Sequence, residues 1–284
     1  VRSVIERIRD PAPGDVYIVN DPYLGGTHLM DVKMVKPFFY RGELVAWLAN
    51  SGHWPDIGGR VPGGFSTRAT EIYQEGLRLP PVRLFDRGRL NRDVLDIILQ
   101  NVRVSRERQG DIIAHVTALK VGHDRLTALL DRYGCDTVFR AVDELNDRSE
   151  EMMRGHIASI PDGLYRFQEH LDSDGVVNEP LLLDLALTVE GDGVHVDFSQ
   201  SSAPCRGPLN SVLSTTMAGV FIAFKHTFPE VPINEGCFRP SACDLPETVF
   251  LNAQHPRPVA GLSLIHISEP TRLGMISYAV FCLK

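Results

Sequence analysis

Cysteine is scarce in this sequence, and its spacing argues against two kinds of site. The 284 residues contain five cysteines, and no two of them form a Cys-x-x-Cys pair. Thiolate zinc sites and disulfide-stapled secreted domains both depend on regularly spaced cysteines. We therefore expect neither, and this cysteine usage favours a protein of the reducing cytoplasm.

Long apolar runs and clusters of positive charge are also missing. No hydrophobic run approaches the roughly 20 residues that cross a bilayer. The formal net charge is −7, with 29 Lys and Arg against 36 Asp and Glu, whereas a nucleic-acid surface usually shows as a basic patch. We predict a protein that binds neither membranes nor nucleic acids. Its hydrophobic content of 43% is typical of a folded globular chain.

The two ends of the sequence do not resemble natural termini. The chain starts at Val1 and enters a folded pattern at once, whereas Leu262–Lys284 resembles translated sequencing-adapter DNA. A segment of that kind carries no information about the native fold. We expect residues 1–261 to be a partial catalytic domain from a larger fold, and residues 262–284 to be a non-native tail.

The pattern of apolar residues changes twice along the chain. Residues 14–85 are strand-rich, residues 90–160 have the spacing of helices, and residues 163–261 mix strands with a helix. Strands, then helices, then strands again favour segregated elements over a regular alternation of strand and helix. The sequence thus predicts an α+β fold with mixed β-sheets and a central helical segment.

Local signals give some of the element boundaries. Asn91 and Ser105 are predicted N-caps of two helices, and Gly134 is a predicted helix end. In the last third, Leu209–Phe228 is predicted to be a buried helix and Glu247–Asn252 a strand.

A His-x-x-Asp motif occurs twice, as His28-x-x-Asp31 and as His53-x-x-Asp56, with glycines beside each copy. Imidazole and carboxylate groups at neighbouring strand ends can form a mixed site for Mn²⁺, Zn²⁺ or Fe²⁺. The alternative is two loop histidines with two capping or turn aspartates. Spacing alone leaves both interpretations open.

The chain between the two motifs brings them together. Val32–Phe39 and Leu44–Ser51 are predicted strands joined by a short turn that contains Gly42, which indicates a β-hairpin. If Tyr40 pairs with Glu43, an unbroken register places His53 opposite Met30 and Asp31 opposite Gly52. Both motifs then lie at the same end of one strand pair.

Two glutamates follow in the segment "ATEIYQEG". Glu71 and Glu75 are four residues apart and share one face if the segment is helical. They are either a solvated helix face or carboxylates that serve as a general base beside a metal. Cys237 has no histidine at a paired spacing, so a packing role is expected for it.

Several motifs resemble, in order, the hydantoinase B family. They are "GDVYIVNDPYLGGTHLMD", "GHWPDIGG", "ATEIYQEGLRLPPVRL", "DIILQNVRVSRERQGD", "DFSQSSAPCRGPLN" and "PINEGCFRP". The family comprises the HyuB-type subunits of ATP-dependent hydantoinases, the matching half of 5-oxoprolinase, and α-type subunits of acetone and acetophenone carboxylases. The resemblance covers nearly all of residues 1–261.

The resemblance implies a division of labour between two subunits. An ATP-binding HyuA-type partner phosphorylates a carbonyl or amide oxygen, and the activated species reacts at a metal site in the HyuB-type subunit. The family's metal ligands match His28, Asp31 and His53. Asp56, Glu71 or Glu75 is the expected general base. A hetero-oligomer with ATP bound by the partner is therefore expected.

Three functions follow from this resemblance. The first is hydrolysis of a cyclic amide, of the N-methylhydantoinase or 5-oxoprolinase type. The second is the α-type subunit of an ATP-dependent ketone carboxylase that uses the same metal. The third is a non-catalytic partner subunit with a structural His/Asp cluster. The motifs do not separate the first two.

Overall fold

The computed structural model of the chain describes residues 2–261 and 281–283, which form ten strands and five α-helices. The strands are Val16–Val19 (β1), Asp31–Tyr40 (β2), Glu43–His53 (β3), Val82–Asp86 (β4), Arg89–Leu90 (β5), Gly163–Leu171 (β6), Leu181–Glu190 (β7), Gly193–Asp197 (β8), Ser241–Asp244 (β9) and Phe281–Leu283 (β10). The helices are Arg2–Ile5 (α1), Arg92–Gln100 (α2), Ser105–Tyr133 (α3), Cys135–Ile157 (α4) and Leu213–Thr227 (α5). Strand-rich and helical segments are segregated along the chain, which confirms the α+β prediction.

The first sheet has the order β10-β3-β2-β1-β4-β5. Strands β2 and β3 form the predicted hairpin, and Tyr40 pairs with Glu43 as expected. The register then shifts between Phe38 and Phe39, because β3 contains one extra residue at a β-bulge. As a result Asp31 lies opposite His53, and the predicted pairing of Asp31 with Gly52 is wrong.

The central helices cover one face of this sheet. The Asn91 side chain accepts a hydrogen bond from the Val94 backbone N–H, which confirms the predicted cap of α2. Helix α3 begins at Ser105, but that residue is not the cap: Val104 takes the position and provides no side-chain hydrogen bond. Gly134, whose φ of 78° favours glycine, ends α3 and lets α4 turn back.

The second sheet has the order β6-β7-β8-β9, with β8 and β9 parallel. Helix α5 packs with it around a cluster that includes Val196, Val220 and Phe250. The predicted strand Glu247–Asn252 is wrong, because Phe250–Asn252 forms a 3-10 turn. Its three residues are all buried, and periodicity alone does not separate a short buried run of this kind from a strand.

The main core lies between the first sheet and the central helices, where Met34, Phe38, Ile98 and Leu119 are almost fully buried. None of the helices in the described part of the chain combines the length and apolar character that a membrane span needs. The predicted adapter-derived tail falls almost entirely outside the described residues, of which only Phe281–Leu283 belong to it.

Candidate metal centre

The loop that carries His28 is fixed to the fold by Asn20, which follows β1. The Asn20 side-chain amide donates to the carbonyls of Leu29 at 2.8 Å and Leu77 at 2.9 Å, and its oxygen accepts from the Leu79 N–H at 2.6 Å. The side chain is almost fully buried, and its bonds to Leu29 and Leu79 are formed away from water. Asn20 therefore holds the loop rigidly beside the first sheet.

The first turn of α5 holds the same loop from the other side. The Ser214 hydroxyl donates to the carbonyl of Gly26, and the Thr215 hydroxyl donates to the carbonyl of Thr27 at 3.4 Å. The N-terminus of a helix carries a partial positive charge. This contact therefore places the positive end of α5 next to the loop that leads into His28.

His28, Asp31 and His53 form one cluster. Each residue offers one ligand atom, and these atoms lie within 4.8 Å of one another. The Nδ1 of His53 is 3.1 Å from one carboxylate oxygen of Asp31, and the Nδ1 of His28 is 3.5 Å from the other. The two imidazole rings meet edge to face, with centroids 5.2 Å apart. The bulge in β3 produces this arrangement, since it brings His53 directly across from Asp31.

Exposure differs among the three side chains. His28 is 13% exposed, Asp31 25% and His53 48%. The cluster is therefore closed on the His28 side and open to solvent on the His53 side, so a ligand would enter past His53.

The protonation states suit metal ligands. Burial alone would raise the pKa of Asp31, but the hydrogen bonds of His53 and Thr27 and the charge of a protonated His28 outweigh it and hold the pKa at about 2. Burial lowers the pKa of His28 more than the Asp31 carboxylate raises it. At neutral pH the cluster therefore offers a carboxylate and a neutral buried imidazole, the forms that bind cations.

A metal ion fits this donor set. The Nδ1 atom of His28 is buried and forms no hydrogen bond with any residue that the structure describes. An unsatisfied buried nitrogen is costly, and a coordinated cation would satisfy it. Two imidazoles and a carboxylate are ligands that suit Mn²⁺, Zn²⁺ or Fe²⁺.

The far side of the hairpin supports the cluster through His115 on α3. The Nδ1 of His115 is 2.7 Å from the Asn50 side-chain oxygen, and the Asn50 amide donates to the His115 carbonyl at 2.8 Å. The ring lies directly over Gly52, where a Cβ atom would be 2.4 Å from the His115 Nε2. Gly52 is therefore required by this close approach, one residue before His53.

Asp56, the aspartate of the second motif, does not join the cluster. It is buried, and its carboxylate accepts from the backbone N–H groups of Gly58 and Gly63 and from the Arg103 guanidinium, which is 3.0 Å away. Burial opposes ionisation, but these donors outweigh it and lower the pKa of Asp56. In this structure the residue ties the glycine-rich loop to the helical segment.

Glu71 and Glu75 do not share a face, because a short 3-10 turn at Ile72–Gln74 replaces the helix that would align them. Glu71 is exposed, whereas Glu75 is buried. The Glu75 carboxylate accepts from the backbone N–H groups of Val259 and Ala260, and burial raises its pKa to about 7.

Sequence reasoning missed one charged residue at the site. Lys33 lies two residues after Asp31 on β2, and its charge lowers the pKa of both Asp31 and His28. Burial lowers the pKa of Lys33 itself, with the Asp31 charge as a partial offset. Side chains two apart on a strand share a face, and that spacing from Asp31 could have indicated Lys33.

Comparison with known proteins now assigns the chain to a family. A family model described as hydantoinase B/oxoprolinase matches residues 1–271. The chain belongs to the hydantoinase B/oxoprolinase family. The resemblance noted in the sequence is thereby confirmed.

Three relatives show the range of this hydantoinase B family. The beta subunit of caprolactamase from Pseudomonas jessenii is 39% identical over 252 residues, which are 87% of this chain and 43% of that protein. The B-type subunit of a putative D-/L-hydantoinase from Pseudomonas sp. strain NS671 is 31% identical over 272 residues, or 91% of this chain and 46% of that protein. The acetophenone carboxylase delta subunit of Aromatoleum aromaticum is 30% identical over 237 residues, or 82% of this chain and 34% of that protein.

The fold agrees with a solved hydantoinase B relative. The crystal structure of the ATP-dependent caprolactamase from Pseudomonas jessenii matches with a TM-score of 0.83 and 39% identity, over 88% of this chain and 43% of that one. The chain spans less than half the length of these relatives. The carboxylase relative is a delta subunit, where the resemblance implied an α-type subunit.

Proposed function

We propose that this chain is the metal-bearing part of a HyuB-type subunit in an ATP-dependent cyclic-amide hydrolase of the cytoplasm. The observation that carries the proposal is the cluster of His28, Asp31 and His53. It is set in a chain whose relatives are named as caprolactamase and hydantoinase subunits. A HyuA-type partner binds ATP and phosphorylates the amide oxygen, so the active enzyme is a hetero-oligomer.

The three residues of the cluster act together as metal ligands. His28, Asp31 and His53 hold a divalent ion, with Mn²⁺, Zn²⁺ and Fe²⁺ as the candidates. When bound, such an ion supplies Lewis-acid polarisation of the activated carbon centre or its phosphoryl oxygen. Thr27 donates a hydrogen bond to Asp31 and so orients the carboxylate. The exposed side of His53 admits the substrate.

Phosphorylation explains why a partner is needed. An amide is a poor electrophile because its nitrogen donates electron density to the carbonyl. Transfer of a phosphoryl group to the oxygen makes the carbon electron-poor, so water can attack it. The C–N bond then breaks, and the proton lost by the water goes to the nitrogen. The acyl phosphate left behind is hydrolysed by a second water to a carboxylate and phosphate. The site must therefore stabilise the negative charge of the phosphoryl group.

We propose Asp56, Glu71 or Glu75 for proton transfer, and the raised pKa of Glu75 supports that residue. A general base works best when its pKa lies near the working pH. The pKa of Glu75 is about 7, while the hydrogen bonds around Asp56 lower its pKa. Glu75 nevertheless reaches the substrate only if its bonds to the backbone of Val259 and Ala260 open.

A ketone carboxylase is the second candidate, because the acetophenone carboxylase delta subunit aligns with 82% of this chain. The same metal would then serve carbon–carbon bond formation. A full-length homologue assayed with its HyuA-type partner separates the two. ATP-dependent ring opening of lactams, hydantoins or 5-oxoproline supports the hydrolase, and bicarbonate-dependent consumption of ketones supports the carboxylase.

Metal analysis tests the cluster itself. The purified chain is expected to bind one equivalent of Mn²⁺ or Zn²⁺, and His28→Ala or His53→Ala should reduce that content severely. His226→Ala, which removes a histidine of α5 outside the cluster, is the matched control and should bind as the unaltered chain does. Equal metal content in all four proteins would remove the proposed metal site, and the cluster would then be structural.

A further inference from the structure

Lys33 places a positive charge on the face of the sheet that carries the cluster. It follows Asp31 by two residues on β2, so both side chains project from the same face. Its neighbours across the sheet are Ser51 on β3 and Val19 on β1. Asp31 pairs with His53, and Lys33 pairs with Ser51. The lysine therefore lies two residues from the cluster on the same pair of strands.

The ammonium group of Lys33 is poorly compensated. It is half-buried, and its hydrogen bond goes to the backbone carbonyl of Asp31 at 3.4 Å, near the upper limit for such a bond. No carboxylate of a described residue lies within 4.0 Å of its Nζ atom. A lysine ammonium has three protons to donate, so most of its donor capacity is uncommitted.

This placement is unusual for a lysine beside a metal site. A positive charge close to a bound cation is repelled by it, and Asp31 alone does not balance both charges. A second source of positive potential is α5, whose first turn contacts the loop before His28. Together these groups leave the site with excess positive charge, which an anionic ligand would neutralise.

We propose that Lys33 is a substrate-binding residue that donates hydrogen bonds to the phosphoryl oxygens of the activated substrate beside the metal. The inference rests on the proposed function and adds a residue to it. A phosphoryl group brings two negative charges and several acceptor oxygens, and ammonium-to-phosphate hydrogen bonds are among the stronger ones in proteins. The lysine and the metal would hold the same group from two sides, so its position is fixed before water attacks.

The test uses inorganic phosphate as the probe on the Mn²⁺-loaded chain. Phosphate binding is measured by titration calorimetry, and Mn²⁺ binding is measured separately by electron paramagnetic resonance. In Lys33→Met, phosphate affinity should fall at least tenfold, while Mn²⁺ affinity should stay constant or rise because a repelling charge has gone. Lys33→Arg should retain most of the phosphate affinity, since it keeps the charge.

Lys36→Met is the matched control. Lys36 lies three residues further along β2 and is half-buried, but it projects from the opposite face of the sheet. Both affinities should be unchanged in this variant. Acetate serves as a second probe, and its binding should depend much less on Lys33, because it carries one charge and fewer oxygens.

A fall in phosphate affinity without a fall in Mn²⁺ affinity separates substrate binding from a structural role. Loss of both Mn²⁺ and phosphate in Lys33→Met would show that the lysine only maintains the cluster, and would overturn the inference. Equal phosphate affinity in Lys33→Met and the unaltered chain would also overturn it, as would equal dependence of acetate and phosphate on Lys33. Failure of the unaltered chain to bind Mn²⁺ would instead overturn the proposed metal centre.

Discussion

Two buried carboxylates outside the cluster, Asp56 and Glu75, have opposite acid-base behaviour. Burial raises the pKa of both, but Asp56 accepts hydrogen bonds from three backbone N–H groups and from the Arg103 guanidinium, and its pKa falls. Glu75 accepts from two backbone N–H groups and has no cationic partner among the described residues, so burial dominates and its pKa rises to about 7. The number and charge of the hydrogen-bond donors therefore decide whether the pKa of a buried carboxylate rises or falls.

The raised pKa of Glu75 predicts that stability depends on pH. Unfolding lowers its pKa from about 7 to the ordinary 4.5, so between these values the folded state holds a proton that the unfolded state has lost. The contribution of Glu75 to the free energy of unfolding therefore falls as pH rises from about 4.5 to 7, by up to roughly 3 kcal/mol. Urea unfolding at pH 5, 6, 7 and 8 measures this decline.

Glu75→Gln removes the titrating group, so its stability should change less than that of the unaltered chain over this range. Any stability advantage of the unaltered chain over Glu75→Gln should therefore shrink as pH rises to 7. Glu71→Gln, at an exposed position four residues earlier, is the control and should follow the unaltered chain. Parallel pH curves for Glu75→Gln and the unaltered chain would contradict the prediction.

Gly52→Ala tests the support of the cluster by His115. The added Cβ would lie 2.4 Å from the His115 Nε2, and the ring is held by Asn50 at 2.7 Å, so it has little freedom to move. Overpacking of this kind costs about 1–3 kcal/mol, and metal affinity should fall because His53 is the next residue. Unfolding by denaturant and metal titration measure the two effects.

The double variant Gly52→Ala/His115→Ala removes the clash and should lose less stability than the sum of the two single changes. Gly110→Ala is the matched control, because nothing lies within 4 Å of a Cβ there and α3 should gain up to ~1 kcal/mol. Additive losses in the double variant would show that His115 does not restrict position 52.

At the scale of elements, the sequence predicts the β2–β3 hairpin but not its register. Gly42 and the two apolar runs indicate the turn, and Tyr40 pairs with Glu43 as expected. The bulge at Val45 has no glycine and no other local signal, because packing of both strands decides where the extra residue is accommodated. One unpredicted residue therefore changes the partner of Asp31 from Gly52 to His53.

The residues of the cluster could be predicted from the sequence more fully than the residues that hold the cluster in position. His28, Asp31 and His53 belong to two copies of one motif at the same end of a predicted hairpin, and the family resemblance selected these three as the ligands. Asn20 donates a hydrogen bond to the backbone carbonyl of Leu29, and Ser214 donates one to the backbone carbonyl of Gly26. Ser214 and Gly26 are far apart in the sequence. Such contacts depend on tertiary packing, which composition and periodicity do not encode.

Helix α5 gives a prediction at this scale. Ser214→Ala removes the hydrogen bond to the Gly26 carbonyl, at a cost of about 1 kcal/mol. The loop before His28 then has more freedom, and metal affinity should fall by up to about tenfold, as for other residues that position metal ligands. Isothermal titration with Mn²⁺ measures the change.

Thr227→Ala is the control at the other end of α5. Its hydroxyl donates within the helix, to Ala223 at 2.9 Å, and it is exposed. Metal affinity should be unaffected in this variant. If Ser214→Ala and Thr227→Ala bound Mn²⁺ equally well, α5 would not be positioning the loop.

In the whole molecule, the candidate centre lies where distant parts of the chain meet. Helix α5, from the second half, contacts Gly26 and Thr27 in the first. Glu75 accepts hydrogen bonds from the backbone of Val259 and Ala260, nearly two hundred residues later in sequence. The site geometry therefore depends on the global fold, and ligand binding at the site should stabilise the whole chain.

Metal binding is expected to raise the thermal stability of the chain by mass action. An ion that binds the folded state alone adds about 2.7 kcal/mol at one hundred times its Kd. For a domain of this size, that corresponds to a rise in Tm of roughly 5–10 °C. Differential scanning calorimetry with increasing Mn²⁺ measures the shift, and a chelator should reverse it. His53→Ala should abolish the shift, whereas His226→Ala should preserve it in full. A shift that survives in His53→Ala would place the stabilising ion elsewhere in the chain, because His53 supplies the open, solvent-facing ligand of the cluster.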